Sequence, residues 1–258
     1  MFRPRVIPCL LLRGRGLVKT VKFKDPTYLG DPVNVVKIFN EKEVDELVLL
    51  DIDASPNHRP PPFELIAEIA EECFMPLAYG GNVRSIADIR RILNIGVEKV
   101  VINSYAGEAP SFISEAADVF GSQSIVAGID YRANWRRQRR VYTYGGRQDI
   151  GVDPVAHAIA MAERGAGEIM LTAIDRDGTM KGYDLETLRE VTAAVNVPVV
   201  ASGGAGQVAD LVSAVRSGGA AAAAAASLFV FQGPHRAVLI SFPAPEILDA
   251  AFDARASG

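Results

Sequence analysis

The chain has 258 residues, of which 49% are hydrophobic and 22% are charged, and 27 Lys and Arg against 31 Asp and Glu give a net charge of -4. This length fits one α/β domain whose core is large enough to need no disulfide or metal. The acidic balance argues against a nucleic-acid-binding protein, and the unpatterned spacing of Cys9 and Cys73 argues for a reducing compartment and against a zinc site.

The sequence shows no signal for secretion or for membrane insertion. No apolar run approaches the length of a transmembrane span. The start of the chain, residues 1–5, lacks the long apolar stretch of a signal peptide. We therefore expect a cytoplasmic protein that contacts neither membrane nor nucleic acid, and we expect no metal and no other cofactor.

Near-continuous apolar runs alternate with amphipathic segments along the whole chain. Apolarity without polar alternation is typical of strands that are buried on both faces of a sheet. The predicted strands are residues 6–12, 46–50, 76–79, 99–102, 124–129, 168–173, 198–201 and 221–225. A capping Asp or Ser, or an Asp-Pro pair, marks the start of helices between them. The clearest predicted helices are residues 33–40, 86–94, 155–164 and 185–195.

Eight strands alternating with about seven convincing helices predict an α/β fold, a (β/α)8 TIM barrel that residues 1–258 form as one domain. Residues 233–245 contain three prolines and predict only a poor eighth helix. Segments 74–81 and 197–204 resemble each other and both end in a Gly-Gly pair. This half-length repeat predicts a barrel built from two similar half-barrels.

Two long connections interrupt the alternation. Residues 13–29 join the first strand to the first helix, and residues 131–149 follow the fifth strand, where residues 141–144 predict a small hairpin. Five arginines surround Trp135 in the second connection: Arg132, Arg136, Arg137, Arg139 and Arg140. They fit either a solvated hairpin tip or the capture of an anionic ligand.

Glycine turns follow the third, sixth and seventh predicted strands, at the carboxyl ends where such a barrel has its active site. Glycine lets backbone N–H groups approach an anion closely. One phosphate site is predicted at Asp177, Gly178, Ser202, Gly203, Gly204, Ala226 and Ser227. The repeat predicts a second phosphate site at Gly81, Asn103 and Ser104. Two such sites across one mouth would suit a bisphosphorylated small molecule.

Asp130 is the candidate catalytic residue. It ends the fifth strand, and a carboxylate pointing into the mouth can act as general acid or base. The alternative is that it only caps backbone N–H groups at the start of a loop. In a barrel of two halves its partner would come from the end of strand one, which reads Cys9-Leu10-Leu11-Leu12 and offers no carboxylate.

Charged residues begin four strands at the opposite end of the barrel: Arg5, Glu46, Lys99 and Glu168. If they point inward they form a salt-bridged ring around the barrel axis. If they point outward they are ordinary charges that face water. The sequence leaves both arrangements open.

These features occur together in a known family. From Arg5 to about Phe231 the chain resembles the cyclase subunit of imidazole glycerol phosphate synthase, HisF. The stretches that carry the resemblance are residues 30–32, 45–47, 120–124, 164–169, 174–179 and 201–206. The resemblance implies a glutaminase subunit of the HisH type at the N-terminal face of the barrel. It also implies that ammonia passes along the barrel axis to a bisphosphorylated ribonucleotide, which is cleaved and cyclised at the mouth.

The resemblance also assigns roles to residues. The four charges that begin strands correspond to the ammonia gate of the family, and the glycine turns correspond to its phosphate loops. Its two catalytic aspartates fall on position 11 and on Asp130. Position 11 is Leu11, and the third glycine expected after Gly81 is Asn82.

A divergent branch of the family is closer still to this chain, over residues 7–12, 16–24, 38–46, 227–231 and 235–241. That branch is associated with amidation of sugars in surface polysaccharide synthesis. It works with a glutaminase-like subunit and a separate amidotransferase that activates the sugar. This resemblance implies a barrel that conducts ammonia to a third protein. Two alternatives remain: a working cyclase in histidine biosynthesis and a non-catalytic scaffold for the glutaminase.

Overall fold

A computed structural model describes residues 3–254, and parallel pairing of eight strands closes a barrel within it. The strands are β1 (Arg5–Arg13), β2 (Gly16–Val21), β3 (Lys24–Gly30), β4 (Leu47–Asp51), β5 (Leu77–Gly80), β6 (Lys99–Ile102), β7 (Ile125–Ala133), β8 (Arg139–Thr143), β9 (Gln148–Asp149), β10 (Glu168–Ala173), β11 (Val199–Ser202), β12 (Ala222–Ala225), β13 (Phe231–Gln232) and β14 (Ala237–Val238). The helices are α1 (Pro32–Glu41), α2 (Phe63–Glu71), α3 (Ile86–Asn94), α4 (Ser104–Glu108), α5 (Ser111–Phe120), α6 (Pro154–Glu163), α7 (Leu185–Ala194), α8 (Val208–Arg216), α9 (Ser227–Val230) and α10 (Pro245–Asp253).

The barrel strands are β1, β4, β5, β6, β7, β10, β11 and β12, each paired in parallel with its neighbours. The ring closes where β12 pairs with β1 and where β7 pairs with β10. The predicted (β/α)8 barrel is therefore confirmed. None of the helices within residues 3–254 is long and apolar enough to cross a bilayer.

The barrel wall separates two apolar clusters. The outer cluster packs helices onto strands, with Phe39, Ile66 and Ile89 fully buried between them. The inner cluster lies inside the barrel and at its mouth: Ile7, Cys9, Leu11, Val18, Val48, Ala78, Val101, Val126, Met170, Val200, Ala222 and Ala224. Successive side chains of each barrel strand are therefore buried on one face or the other, which explains why the strands read as continuous apolar runs.

Three hairpins are added to the barrel: two continue from barrel strands, and the third is a separate two-stranded sheet after α9. The sequence predicts only a long connection for residues 13–29, but the structure places β2 and β3 there, with β2 antiparallel to β1. The predicted hairpin after the fifth strand is confirmed, since β8 runs antiparallel to β7. Where the sequence predicts a poor eighth helix, β13 and β14 form a hairpin, and α10 begins at Pro245, a residue suited to the first helical turn.

Candidate functional site

A cavity of about 490 Å³ opens at the carboxyl ends of the barrel strands. Every residue that the sequence assigns to phosphate binding or catalysis lines it: Gly81, Asn103, Ser104, Asp130, Asp177, Gly178, Ser202, Gly203, Gly204, Ala226 and Ser227. The carboxyl ends of parallel strands meet at one face, so residues distant in sequence converge there. Their roles in binding and catalysis stay predictions.

Asp130 and Leu11 line the same cavity from β7 and β1. Burial raises the pKa of Asp130 to about 7, the charge of Asp177 adds to this rise, and the side chains of Thr172 and Asn103 oppose it. A carboxyl with a pKa near neutrality can both donate and accept a proton at working pH. Leu11 can do neither, and burial raises the pKa of the nearby Cys9 thiol to about 12, so β1 supplies no second base.

The burial of Asp130 should make the free energy of unfolding depend on pH. An acid whose pKa is raised by folding holds its proton more tightly in the native state, so stability falls as pH rises from about 4 to about 7. Asp130→Asn removes that cost. Because Asp130 is only half-buried at an open cavity, we expect the variant to exceed the parent in free energy of unfolding by about 2–4 kcal/mol at pH 8 and by little at pH 4. Urea unfolding at the two pH values measures this, and an equal difference at both would show that the carboxyl is well solvated.

The sequence does not predict the ion pair between Lys19 and Asp177 in the lining of the cavity. Lys19 lies on β2, its side chain is 2% exposed, and its Nζ donates to both carboxylate oxygens of Asp177 at 2.9 Å. The Nζ also donates to the carbonyl of Thr20. Lys19 reaches Asp177, which follows the sixth barrel strand β10, because it lies on β2 of the β1–β2 hairpin. That hairpin has no clear sequence signal.

The glycine turns after β10 and β11 are held tightly. Gly178 has φ +71°, and a Cβ there would lie 2.3 Å from the Thr20 carbonyl oxygen. Gly204 has φ +125°, and its Cβ would lie 2.3 Å from the Gly182 carbonyl oxygen. Both positions therefore exclude side chains and leave backbone N–H groups open to a ligand.

Arg236 is a second residue that sequence reasoning does not assign to the site. It lies in the turn between β13 and β14, and its guanidinium donates to the Gly178 carbonyl at 3.1 Å and to the Ser227 hydroxyl at 3.5 Å. The guanidinium also stacks over the Phe231 ring at 4.5 Å. A cation thus lies against the turns where the phosphate site is predicted.

The other predicted phosphate site is arranged differently. Asn103 donates its amide to the Gly128 carbonyl at 3.0 Å, and the Ser104 hydroxyl accepts from the Tyr144 backbone N–H at 3.0 Å. Both polar side chains are thus engaged within the protein.

The four charges at the N-terminal end of the barrel point inward. Arg5 binds Glu46 and Glu168, and Lys99 Nζ binds the same two carboxylates at 3.0 and 2.9 Å, so the four side chains form a closed charged ring. Glu46 and Glu168 are 4% and 9% exposed, so they depend on their cations for solvation. Burial opposes the charge of Arg5, but the two glutamates together raise its pKa.

Apolar side chains line the barrel interior between the charged ring and the cavity. These inner residues are Ile7, Val48, Ala78, Val126, Val200 and Ala222. Ala222 lies beside Arg5 in the strand register, and Ala78 lies beside Lys99. Alanine at such positions leaves more room around the axis than the branched residues that usually dominate a barrel interior.

Within residues 3–254, no three His, Cys, Asp or Glu side chains converge as a metal site would require.

Known proteins resemble this chain over nearly its whole length. A family model described as histidine biosynthesis protein matches residues 5–234. A Pseudomonas aeruginosa protein, provisionally named imidazole glycerol phosphate synthase subunit hisF2, is 53% identical over 249 residues, which cover 96% of this chain and 99% of that protein. A Vibrio vulnificus protein, provisionally named subunit hisF3 of the same synthase, is 48% identical over 246 residues, 95% of each chain.

A Caulobacter vibrioides protein named imidazole glycerol phosphate synthase subunit HisF is 47% identical over 236 residues, 90% of this chain and 89% of that protein. The matched region contains the charged ring, the cavity and the turns that line it. The chain therefore belongs to the HisF family of histidine biosynthesis proteins.

Proposed function

We propose that this chain, as a single barrel domain, is the ammonia-conducting subunit of a glutamine-dependent amidotransferase complex. A glutaminase subunit docks at the N-terminal face, and ammonia passes through the charged ring and along the barrel axis. A separate amidotransferase uses it to amidate a sugar in surface polysaccharide synthesis. The observation that carries this proposal is Leu11 across the cavity from Asp130, while the charged ring remains complete.

Leu11 weighs against consumption of ammonia inside the barrel. General acid–base help is worth about 10²–10⁴-fold in rate, and a leucine supplies none of it. Leu11 lies in register with Leu50 of β4 and Val18 of β2, so its surroundings are apolar. No local rearrangement of these neighbours would provide a carboxylate.

Exposed aromatic residues support a partner at each end of the barrel. Phe74 is 84% exposed in the turn before β5, at the same end as the charged ring. Trp135 is also 84% exposed, at the tip of the β7–β8 hairpin on the cavity side, with Arg136 stacked over its ring at 4.4 Å. Exposed aromatic and arginine side chains are the residue types that most often anchor protein interfaces.

The second candidate is the cyclase reaction of histidine biosynthesis. The raised pKa of Asp130 and the glycine turns around the cavity favour it, as does the name of the Caulobacter relative. A phosphorylated small molecule in the cavity is common to both candidates, since the turns at Gly178, Gly204 and Ser227 suit a phosphate.

Deletion of the gene in its own host separates the two candidates. We expect the deletion strain to grow without histidine and to lose the amidated sugar from its surface polysaccharide, as measured by composition analysis. A complemented strain carrying the Asp130→Asn variant should regain the amidated sugar, because the proposal gives that carboxyl no part in conduction. A histidine requirement with unchanged polysaccharide would contradict the proposal and support the cyclase.

A further inference from the structure

A cation beside the cavity has no carboxylate partner. Arg236 is half-buried, and within residues 3–254 no Asp or Glu forms an ion pair with its guanidinium. Lys19, which lies near the same turns, is neutralised by Asp177. We propose that Arg236 is the positioning residue of the phosphate site: it supplies positive charge there and makes the Ser227 hydroxyl a donor to the dianion of a phosphate monoester.

The turn of the β13–β14 hairpin places Arg236 against the phosphate site. The backbone N–H of Arg236 donates to the Gly233 carbonyl at 3.1 Å, which closes a turn between the two strands. Gly233 has φ +72° and Arg236 has φ +51°. Glycine or asparagine would adopt such a conformation at lower cost than arginine does. The geometry of the turn alone therefore does not explain an arginine at this position.

Three contacts hold the guanidinium in place. One nitrogen donates to the Gly178 carbonyl at 3.1 Å, and a second lies 3.5 Å from the Ser227 hydroxyl oxygen, at the outer limit of a hydrogen bond. The central carbon lies 4.5 Å from the centre of the Phe231 ring, and this ring is buried. None of these partners carries a negative charge, so the guanidinium lies beside the turns with its charge uncompensated.

The Ser227 hydroxyl has a proton that no protein group uses. A serine hydroxyl carries one proton and can accept two hydrogen bonds, whereas a guanidinium can only donate. The Ser227 oxygen therefore accepts from Arg236, and its proton is directed away from that residue. Ser227 lines the cavity and donates to no acceptor in the part of the chain that the structure describes. An anionic oxygen in the cavity would complete this arrangement.

The two preceding strand ends add further unused donors. Ser202 at the end of β11 is 8% exposed, lines the cavity, and makes no hydrogen bond through its hydroxyl with any described residue. The Gly178 N–H also has no acceptor among the described residues, although the Asp177 carbonyl before it is fixed by the Lys22 N–H at 2.9 Å. Two hydroxyls, one backbone N–H and one cation thus match the three acceptor oxygens and the negative charge of a phosphate dianion.

This inference rests on the phosphate turns of the proposed function and not on ammonia conduction. It goes further because it gives the charge of the site to a residue outside the lining of the cavity. Arg236 acts on the ligand through its field and through Ser227, so its effect should depend on ionic strength.

Calorimetric titration of the purified barrel with ribose 5-phosphate tests the inference at about pH 8, where the phosphate group is a dianion. Arg236→Met removes the charge but keeps an apolar contact with Phe231. We expect it to weaken binding about 10-fold at about 0.05 M NaCl, the lower end of the effect of a charged hydrogen-bond partner. Arg236→Lys keeps the charge and should recover at least half of the loss. Arg137→Met, at an exposed arginine with φ +59° on the β7–β8 hairpin, is the matched control and should bind as the parent.

Salt separates a role of the charge from mere support of the fold. Screening weakens the attraction between charges, so at about 0.5 M NaCl the parent and Arg236→Met should differ by only about 3-fold. The same loss at both salt concentrations would show that Arg236 only supports the turns, which would overturn the inference.

A double-mutant cycle tests whether Arg236 acts through Ser227. The combined loss of affinity in Arg236→Met with Ser227→Ala should be smaller than the two single losses together, because the hydroxyl mediates part of the effect. Strictly additive losses would overturn the positioning role.

Two negative results are distinguishable. If the parent binds ribose 5-phosphate and Arg236→Met binds it equally well, the inference fails and the phosphate turns remain. If the parent shows no binding, the inference and the phosphate ligand of the cavity fail together. Neither result decides ammonia conduction, which the gene deletion tests separately.

Discussion

Supplied with ammonium salt and the bisphosphorylated ribonucleotide of the cyclase reaction, the barrel should form imidazole product at least about 100-fold more slowly than a HisF barrel with carboxylates at both strand ends. Leu11 leaves Asp130 without a partner, and general acid–base chemistry at that centre needs a second ionisable group. Product formation followed by chromatography measures the rate, and ammonium salt removes any dependence on a glutaminase. A rate comparable to that of the two-carboxylate barrel would contradict the account.

Leu11→Asp is the corresponding gain-of-function variant. It should recover part of the missing rate, because it returns a carboxylate to the strand end that faces Asp130 across the cavity. Leu11→Asn, which is polar but has no ionisable proton, is the matched control and should recover nothing. Equal rates for the aspartate and asparagine variants would show that position 11 does not limit the reaction.

Loss of one cation should strongly destabilise the charged ring. Lys99→Met leaves Glu46 and Glu168 buried with Arg5 as their only partner in the ring. Breaking a buried pair costs about 3–5 kcal/mol, and the partial exposure of Lys99 reduces this to about 2–3 kcal/mol. The midpoint of thermal unfolding should fall by about 5–10 °C.

The double variant Lys99→Met with Glu168→Gln tests whether the loss is electrostatic. It removes one charge of each sign, so it should recover at least half of the lost stability, as a double-mutant cycle would show. Additive losses would mean that the four side chains do not act as a ring.

The fold was predictable because the barrel strands are marked in the sequence by nearly continuous apolar runs. Residues 221–225 are continuously apolar and residues 168–173 nearly so, which is typical of strands buried on both faces. The strand-end residues of the cavity were predictable for the same reason, since the barrel brings strand ends such as Asp130 and Gly204 to one face. The glycine turns can also be recognised in the sequence, because Gly178 and Gly204 occupy positions where a Cβ would clash.

The remaining features depend on distances that no local pattern encodes. The sequence left Arg5, Glu46, Lys99 and Glu168 free to face water, and only barrel closure brings them into contact. Arg236 reaches the turn at Gly178 from the four-residue turn of the short β13–β14 hairpin, in a segment whose sequence looks irregular.

Conduction along the barrel axis is tested most directly by isotope partitioning in the reconstituted complex of glutaminase, barrel and amidotransferase. The complex receives glutamine labelled with ¹⁵N in the amide, together with excess unlabelled ammonium, and mass spectrometry measures the label in the amidated sugar. The parent barrel should transfer mostly ¹⁵N. Ala222→Leu, which fills the apolar interior beside Arg5, should give mostly ¹⁴N, whereas Ala209→Leu on the exposed face of α8 should behave as the parent. Retained ¹⁵N transfer by a folded Ala222→Leu barrel would contradict passage through the axis.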